Sequence, residues 1–298
     1  MRKILSLILS IVLLVGMTIP VSASEISAPT IESTSVYLDA DSKIEFAKQM
    51  DARYSADLKD GKIKKGTIEE IEKLMMQSTF ASGNERESIN KELAAYGVYE
   101  FNTSKIPTTI TPYSGTNDVI LQTPIIFYET WEKTWTVTCG GNWKNNNWAE
   151  QIWAGNVGEP DAFGVGYTNT SNPYSSYVIR SSAYITDQDN NRTVSTSYRS
   201  DGDGSKGFGF RLQDYIHANP NDSSYVGYKW YGSCTYDSKF GTYNGVATAY
   251  YIHTWSSAHI TSLTFGVEGK TAGLSVSIDN MQKSFIGYSN DKIFGVYP

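Results

Sequence analysis

Apolar positions recur every three or four residues between Ser42 and Gly97, the spacing that lines one face of an α-helix. Ile44, Ala47, Met50, Tyr54 and Leu58 make one such stripe. Ser42 suits its N-cap and Asp60-Gly61 its stop. Thr67-Ile68-Glu69-Glu70 is a capping box, in which the Thr and Glu side chains satisfy each other's free backbone N–H groups. It opens a second helix with Ile68, Ile71, Leu74 and Met75 on the apolar face. A third runs from Asn84 or Glu85 to Tyr96, with Ile89 and Leu93 inward and Gly97 as its C-terminal cap. Short helices with thin apolar stripes are marginal alone, so these three need a surface to pack on.

From about Val119 the period becomes two, the alternation of a half-buried strand. Phe208, Phe210 and Leu212 share one face, as do Leu263, Phe265 and Val267, and again Leu274, Val276 and Ile278. Turn signals separate such runs: Asp187 to Asn191, Asp201-Gly202-Asp203-Gly204, Asn219-Pro220-Asn221-Asp222 and Glu268-Gly269-Lys270. The pattern predicts a mainly β fold, an antiparallel β-sandwich or barrel preceded by a small helical N-terminal segment. Residues 102–118, rich in Thr and Pro, read as a linker. Four units result: a signal peptide at 1–23, a helical segment at 24–101 that fits a pro-region, the linker, and the β domain at 119–298.

The signal peptide rests on Met1-Arg2-Lys3, the apolar run Ile4 to Ile19 and the small residues of Val21-Ser22-Ala23 before the cleavage point. The run is shorter than the roughly 20 residues that cross a bilayer. The expected product is secreted and extracellular, with no membrane span in the mature protein. In that oxidising setting Cys139 and Cys234 are expected to form a disulfide. The bridge would be worth on the order of 4–5 kcal/mol in the chain-entropy model.

Charge removes one class of partner. Across 298 residues, 25 Lys and Arg face 31 Asp and Glu. A nucleic-acid binder needs a basic stripe to neutralise phosphates, so nucleic acid is not an expected partner. Aromatic residues make up 13% of the chain, too many for a disordered one.

Catalytic motifs are missing: no Gly-x-Ser-x-Gly elbow, no His-Glu-x-x-His and no phosphate-binding glycine loop. The three histidines are His217, His253 and His259, and the last two would lie about 20 Å apart on an extended strand. Glu129 and Glu132, three residues apart, would face opposite sides of a strand. They would then not work together as a glycosidase pair, although Glu150 or Asp161 could join either from elsewhere. Asp201, Asp203 and Ser205 alternate along a glycine-loosened loop, as oxygen ligands of calcium do, and Asp187-Gln-Asp189-Asn-Asn191 repeats the alternation. Asp-Gly is equally the chemistry of a metal-free hairpin turn, and that is the favoured reading. No other cofactor is expected.

Aromatic side chains beside amides give the remaining signal. Trp143-Lys-Asn-Asn-Asn-Trp148 sets two indoles at the ends of an Asn-rich loop, too polar for a core and so expected to be exposed. Tyr228, Trp230 and Tyr231 share a strand, and Tyr251, His253 and Trp255 alternate along another. Aromatic faces pack against the C–H groups of sugar rings while amides bond their hydroxyls. Trp143, Trp148, Tyr251 and Trp255 are therefore the candidate ligand-binding residues. The function expected is a secreted, non-enzymatic β-sandwich module binding an extracellular ligand, a glycan or cell-wall polymer. The alternatives are a toxin or bacteriocin-like protein acting on membranes, and a secreted hydrolase.

Overall fold

The computed structural model describes residues 42–101, 118–145, 154–168, 170, 176–219, 222–255, 258–266 and 273–294. The signal peptide and residues 102–117 of the linker lie outside them. Three helices come first: α1 (Ser42–Lys59), α2 (Ile68–Phe80) and α3 (Gly83–Ala95). The strands follow as β1 (Val98–Glu100), β2 (Val119–Leu121), β3 (Ile125–Glu129), β4 (Thr134–Trp143), β5 (Gly155–Asn156) and β6 (Asp161–Thr168). Next are β7 (Val178–Thr186), β8 (Thr193–Thr196), β9 (Gly207–Leu212), β10 (Tyr215–Asn219) and β11 (Asp222–Val226). β12 (Lys229–Tyr236), β13 (Val246–Thr254), β14 (His259–Phe265), β15 (Leu274–Asp279) and β16 (Ser284–Ile293) complete the chain. The fold is mainly β; among the described residues the strand pairings are antiparallel and the three α-helices precede the strands, as the change of period predicts. Among the described residues no helix is long and apolar enough to cross a membrane.

The capping signals at Thr67 and Gly97 carry through, whereas Ser42, expected as an N-cap, is the first residue of α1 itself, and Leu58 and Ile68 of the expected apolar faces are exposed. Thr67 Oγ1 accepts from the Glu70 amide at 3.2 Å, and Glu70 Oε2 accepts from the Thr67 amide at 2.9 Å. Gly97, past the end of α3, takes the left-handed conformation at φ 74° that glycine adopts without a Cβ clash.

One sheet runs β1-β3-β4-β12-β7-β8, with β2 also on β4; a second runs β16-β13-β6-β9. Their facing side chains make the main core. Val137, Cys139, Trp143 and Trp230 from the first meet Phe163, Val165, Phe208, Phe210 and Tyr251 from the second. α2 and α3 cover the outer face of the first sheet, while α1 packs Phe46, Ala47 and Met50 against the main core. Over β1 and β3 the contact is apolar, through Ile71, Met75, Leu93, Val98, Ile125 and Phe127. Over β4, β12 and β7 it is polar: Thr136, Thr235 and Arg180 form one cross-strand row, and Thr138, Ser233 and Ser182 the next. The hydroxyls satisfy one another, Thr136 with Thr235 at 2.7 Å, Ser182 with Ser233 at 2.8 Å, and Thr138 with Thr79 of α2 at 3.0 Å. The helical segment therefore contributes both a strand and a covering layer to the sheet.

Cys139 and Cys234 are both buried free thiols, not the expected disulfide. They lie on neighbouring strands, but Cys139 faces Gly232 while Cys234 faces Val137, a diagonal offset of two positions. Diagonal neighbours in a sheet are about 7–8 Å apart, too far for a bond that needs Cβ atoms near 3.8 Å. Burial pushes both thiols up, Cys234 to about 12, which leaves little reactive thiolate. Iodoacetamide should therefore leave the native protein unmodified at pH 8 and alkylate two thiols after unfolding in guanidinium without reductant. An intact mass 2 Da below the reduced value would contradict this.

Contrary to the expectation from their spacing, Glu129 and Glu132 do not face opposite sides of a strand. Glu132 lies in the β3–β4 turn rather than on a strand, and Lys133 beside it has φ 57°. The turn folds the two carboxylates back onto one cation: Arg180 donates to Glu132 at 2.8 Å and also to the fully buried Glu129.

Candidate functional site

Beyond the hydroxyl rows, the same sheet face opens into a groove of about 560 Å³. Its floor continues the cross-strand register. Gly140, Tyr231 and Tyr184 form one row, and Asn142, Lys229 and Thr186 the next. Strand alternation sends Lys229 and Tyr231 to this face and Trp230 to the opposite one, where it stacks on Tyr251 at 3.8 Å. Met76, Gln77 and Phe80 from the end of α2, with Glu85 from α3, form one wall. Gln188, Asp189 and Asn190 from the β7–β8 turn form the other.

The groove is pre-shaped by its own contacts. Tyr184 and Tyr231 stack with ring centroids 6.2 Å apart and planes inclined by 30°. Tyr231 is buried, while Tyr184 keeps part of its ring at the surface. Burial, with Glu72 nearby, holds the Tyr184 hydroxyl in its protonated, donating form. Lys229 Nζ donates to the Gln188 carbonyl at 2.7 Å and to Asn190 Oδ1 at 3.4 Å, which ties the turn to the sheet. Asn190 itself sits at φ 60°, a conformation Asn tolerates. The result is an aromatic floor rimmed by amides, two carboxylates and an ammonium, within the size range of small-ligand sites.

A second cluster is enclosed. Asp161 opens β6, His253 lies near the end of β13, and Asp214 lies in the β9–β10 connection; all three are buried. Asp161 accepts from the Tyr251 hydroxyl at 2.6 Å, from His253 Nδ1 at 2.8 Å and from the Thr254 amide at 3.0 Å. Asp214 accepts from the Tyr225 hydroxyl at 2.6 Å. Burial first, and the Asp161 charge second, push the Asp214 carboxyl well above the usual carboxylate range. One oxygen of each carboxylate and a ring nitrogen of His253 lie within 4.8 Å of one another, a donor set that could hold a divalent cation. Here the carboxylate oxygens are engaged by protein donors, and the cluster is a hydrogen-bonded network inside the sandwich.

The structure gathers three of the four aromatic residues chosen from sequence, with Trp143 and Tyr251 buried and Trp255 partly buried against the core. Trp143 is only 1% exposed, at the end of β4 rather than in a loop. Its ring lies 5.0 Å from His253, 6.2 Å from Tyr251 and 6.3 Å from Trp255. The indole thus gains its burial from the core, and the exposed-loop reading of Trp143 fails. Trp148 lies outside the described residues. Of the loop oxygens considered for calcium, those of Asp201 accept both arms of Arg211 at 2.7 and 2.9 Å. Asp203 Oδ1 accepts from the Ser205 amide and hydroxyl at 2.8 and 2.6 Å.

The groove was half visible in sequence, since Tyr231 and the Asp187–Asn191 turn both stood out. What brings them together is the β7–β12 pairing, which no local pattern announces. Asp214 gave no sequence signal; only its neighbours Asp161 and His253 did.

No family model matches the chain and no curated protein is similar to it. Among solved structures, one described as "pH-induced modulation of Streptococcus parasanguinis adhesion by Fap1 fimbriae" is similar over 67% of this chain and 98% of its own. Identity is 12% and the TM-score 0.26, so the likeness carries no argument about fold or function.

Proposed function

We propose that the protein is an extracellular β-sandwich module that binds a carbohydrate or cell-wall polymer in the groove between α2 and the first sheet. The observation that carries this reading is the pairing of the partly exposed Tyr184 ring with the rim of Asn142, Gln188, Asp189, Asn190 and Lys229. A sugar ring presents C–H groups on one face, which pack on an aromatic ring, and hydroxyls at its edge, which bond to amides and carboxylates. The signal peptide expected from the first 23 residues supports an extracellular setting for the groove. The buried Asp161–His253 pair supports structure rather than hydrolysis in this reading, because its polar atoms bond inward.

Glycan-array binding and co-sedimentation with insoluble cell-wall polysaccharide test the proposal. Tyr184→Ala and Lys229→Ala should each weaken binding about tenfold, the loss that follows removal of one well-placed contact worth about 1.4 kcal/mol. Neither should greatly lower the melting temperature, since both side chains are only partly buried. Binding unchanged in both variants, or no binding of any preparation by the wild type, would reject the groove as a glycan site.

A further inference from the structure

Lys43, at the start of α1, is among the largest fully buried side chains of the protein. Its Nζ lies 4.4 Å from the ring centre of Phe240, 5.0 Å from Phe294 and 5.7 Å from Trp135. The ammonium donates to the Phe240 carbonyl at 2.7 Å and to the Tyr243 carbonyl as well. Among the described residues no carboxylate forms an ion pair with it. Burying a charge without a counter-ion is costly, and aromatic faces with carbonyl oxygens are the groups that offset it. Burial pulls the Lys43 pKa well below the ordinary lysine value.

The arrangement has the parts of a receptor rather than of an ordinary core. The walls come from four places: β4 gives Trp135, the 3₁₀ turn Ser238–Thr242 gives Phe240, its following residue is Tyr243, and Phe294 directly follows β16. All are buried, and Phe240 packs against both Tyr243 and Phe294 without using Lys43. Phe240, Tyr243 and Phe294 therefore hold one another, and Trp135 is held by Phe101 and Tyr128 as well as by Phe46 of α1, while the occupant comes from a helix before the linker. An aliphatic residue would fill the same space and avoid the desolvation of a charge. The two carbonyls accept N–H groups, so they select a primary ammonium over a quaternary one, which has no N–H to donate.

We propose that Trp135, Phe240, Tyr243 and Phe294 form a binding site for a primary alkylammonium group, which Lys43 occupies from within the same chain. An external ligand of this class, such as the end of a lysine-like side chain, would enter when α1 lifts away. A tethered occupant acts at an effective concentration in the millimolar range, so a small free amine competes only when present well above that.

The full-length Lys43→Ala variant vacates the site. It should bind n-butylammonium in the millimolar range, read by tryptophan fluorescence and a rise in melting temperature. Binding should be at least tenfold tighter than that of 1-pentanol, a neutral molecule of similar size, and of butyltrimethylammonium. A further Phe240→Leu change should abolish the preference. A wild-type measurement stands beside it: 0.2 M n-butylammonium should speed amide exchange of α1 relative to the same concentration of sodium chloride. Equal binding of the alcohol, or no binding by a folded Lys43→Ala protein, would overturn the proposal. Should that variant not fold, unchanged α1 exchange in the wild type would overturn it alone, and faster exchange would support it.

Discussion

Replacing Trp143 by Ala is expected to lower the unfolding free energy by about 3–5 kcal/mol, the range for truncating a large core aromatic side chain. Five aromatic partners surround the indole. Tyr225 lies 6.4 Å away, Phe285 5.4 Å, and Tyr251, His253 and Trp255 fill the rest. These partners come from β11, β13, the residue after β13, and β16, so the change would leave a hole where both sheets meet. The walls are ring systems fixed by their own contacts, which limits collapse into the space. Guanidinium denaturation followed by near-ultraviolet circular dichroism measures the loss. A change below about 1 kcal/mol would mean that the indole is not part of the packed core.

Asp161→Ala should be of similar size, about 3–5 kcal/mol, but for a different reason. Truncation removes the acceptor of three donors at once, the Tyr251 hydroxyl, His253 Nδ1 and the Thr254 amide, in a place water does not reach. Each buried donor left without a partner costs about 1–3 kcal/mol. Partial re-pairing reduces the sum. Asp161→Asn keeps an acceptor oxygen and the shape, and it removes the charge that pushes Asp214 upward. It should therefore recover more than half of the loss in the same denaturation experiment. Equal destabilisation by Ala and Asn would show that the negative charge, rather than the acceptor geometry, holds the network together.

Local signals were legible where the cause is local. The Thr67–Glu70 capping box, the Gly97 stop and the alternation of Phe208, Phe210 and Leu212 each depend on residues a few positions apart, and each gave the element found. Long-range geometry was not legible. The cysteines have a spacing compatible with a bridge, and only the register of β4 against β12 sets them on a diagonal. The Trp143 segment looked like an exposed loop because its asparagines are polar, yet the indole belongs to the preceding strand and points inward. Residues that form the groove come from α2, α3, β4, β7, the β7–β8 turn and β12; Tyr231 and the turn stand out in sequence, and only strand pairing assembles them with the rest.

The hydroxyl rows beneath α2 also fix where that helix sits on the sheet. Aliphatic surfaces attract at almost any mutual offset, so a helix resting on them can shift by a fraction of a turn at small cost. Hydroxyl-to-hydroxyl bonds fail within a few tenths of an ångström beyond their normal length. Thr79 meeting Thr138 thus works as an indexing pin that gives the helical layer a single seating on the sheet. The groove beside it, with one wall on α2 and its floor on β12, inherits a fixed width from that pin.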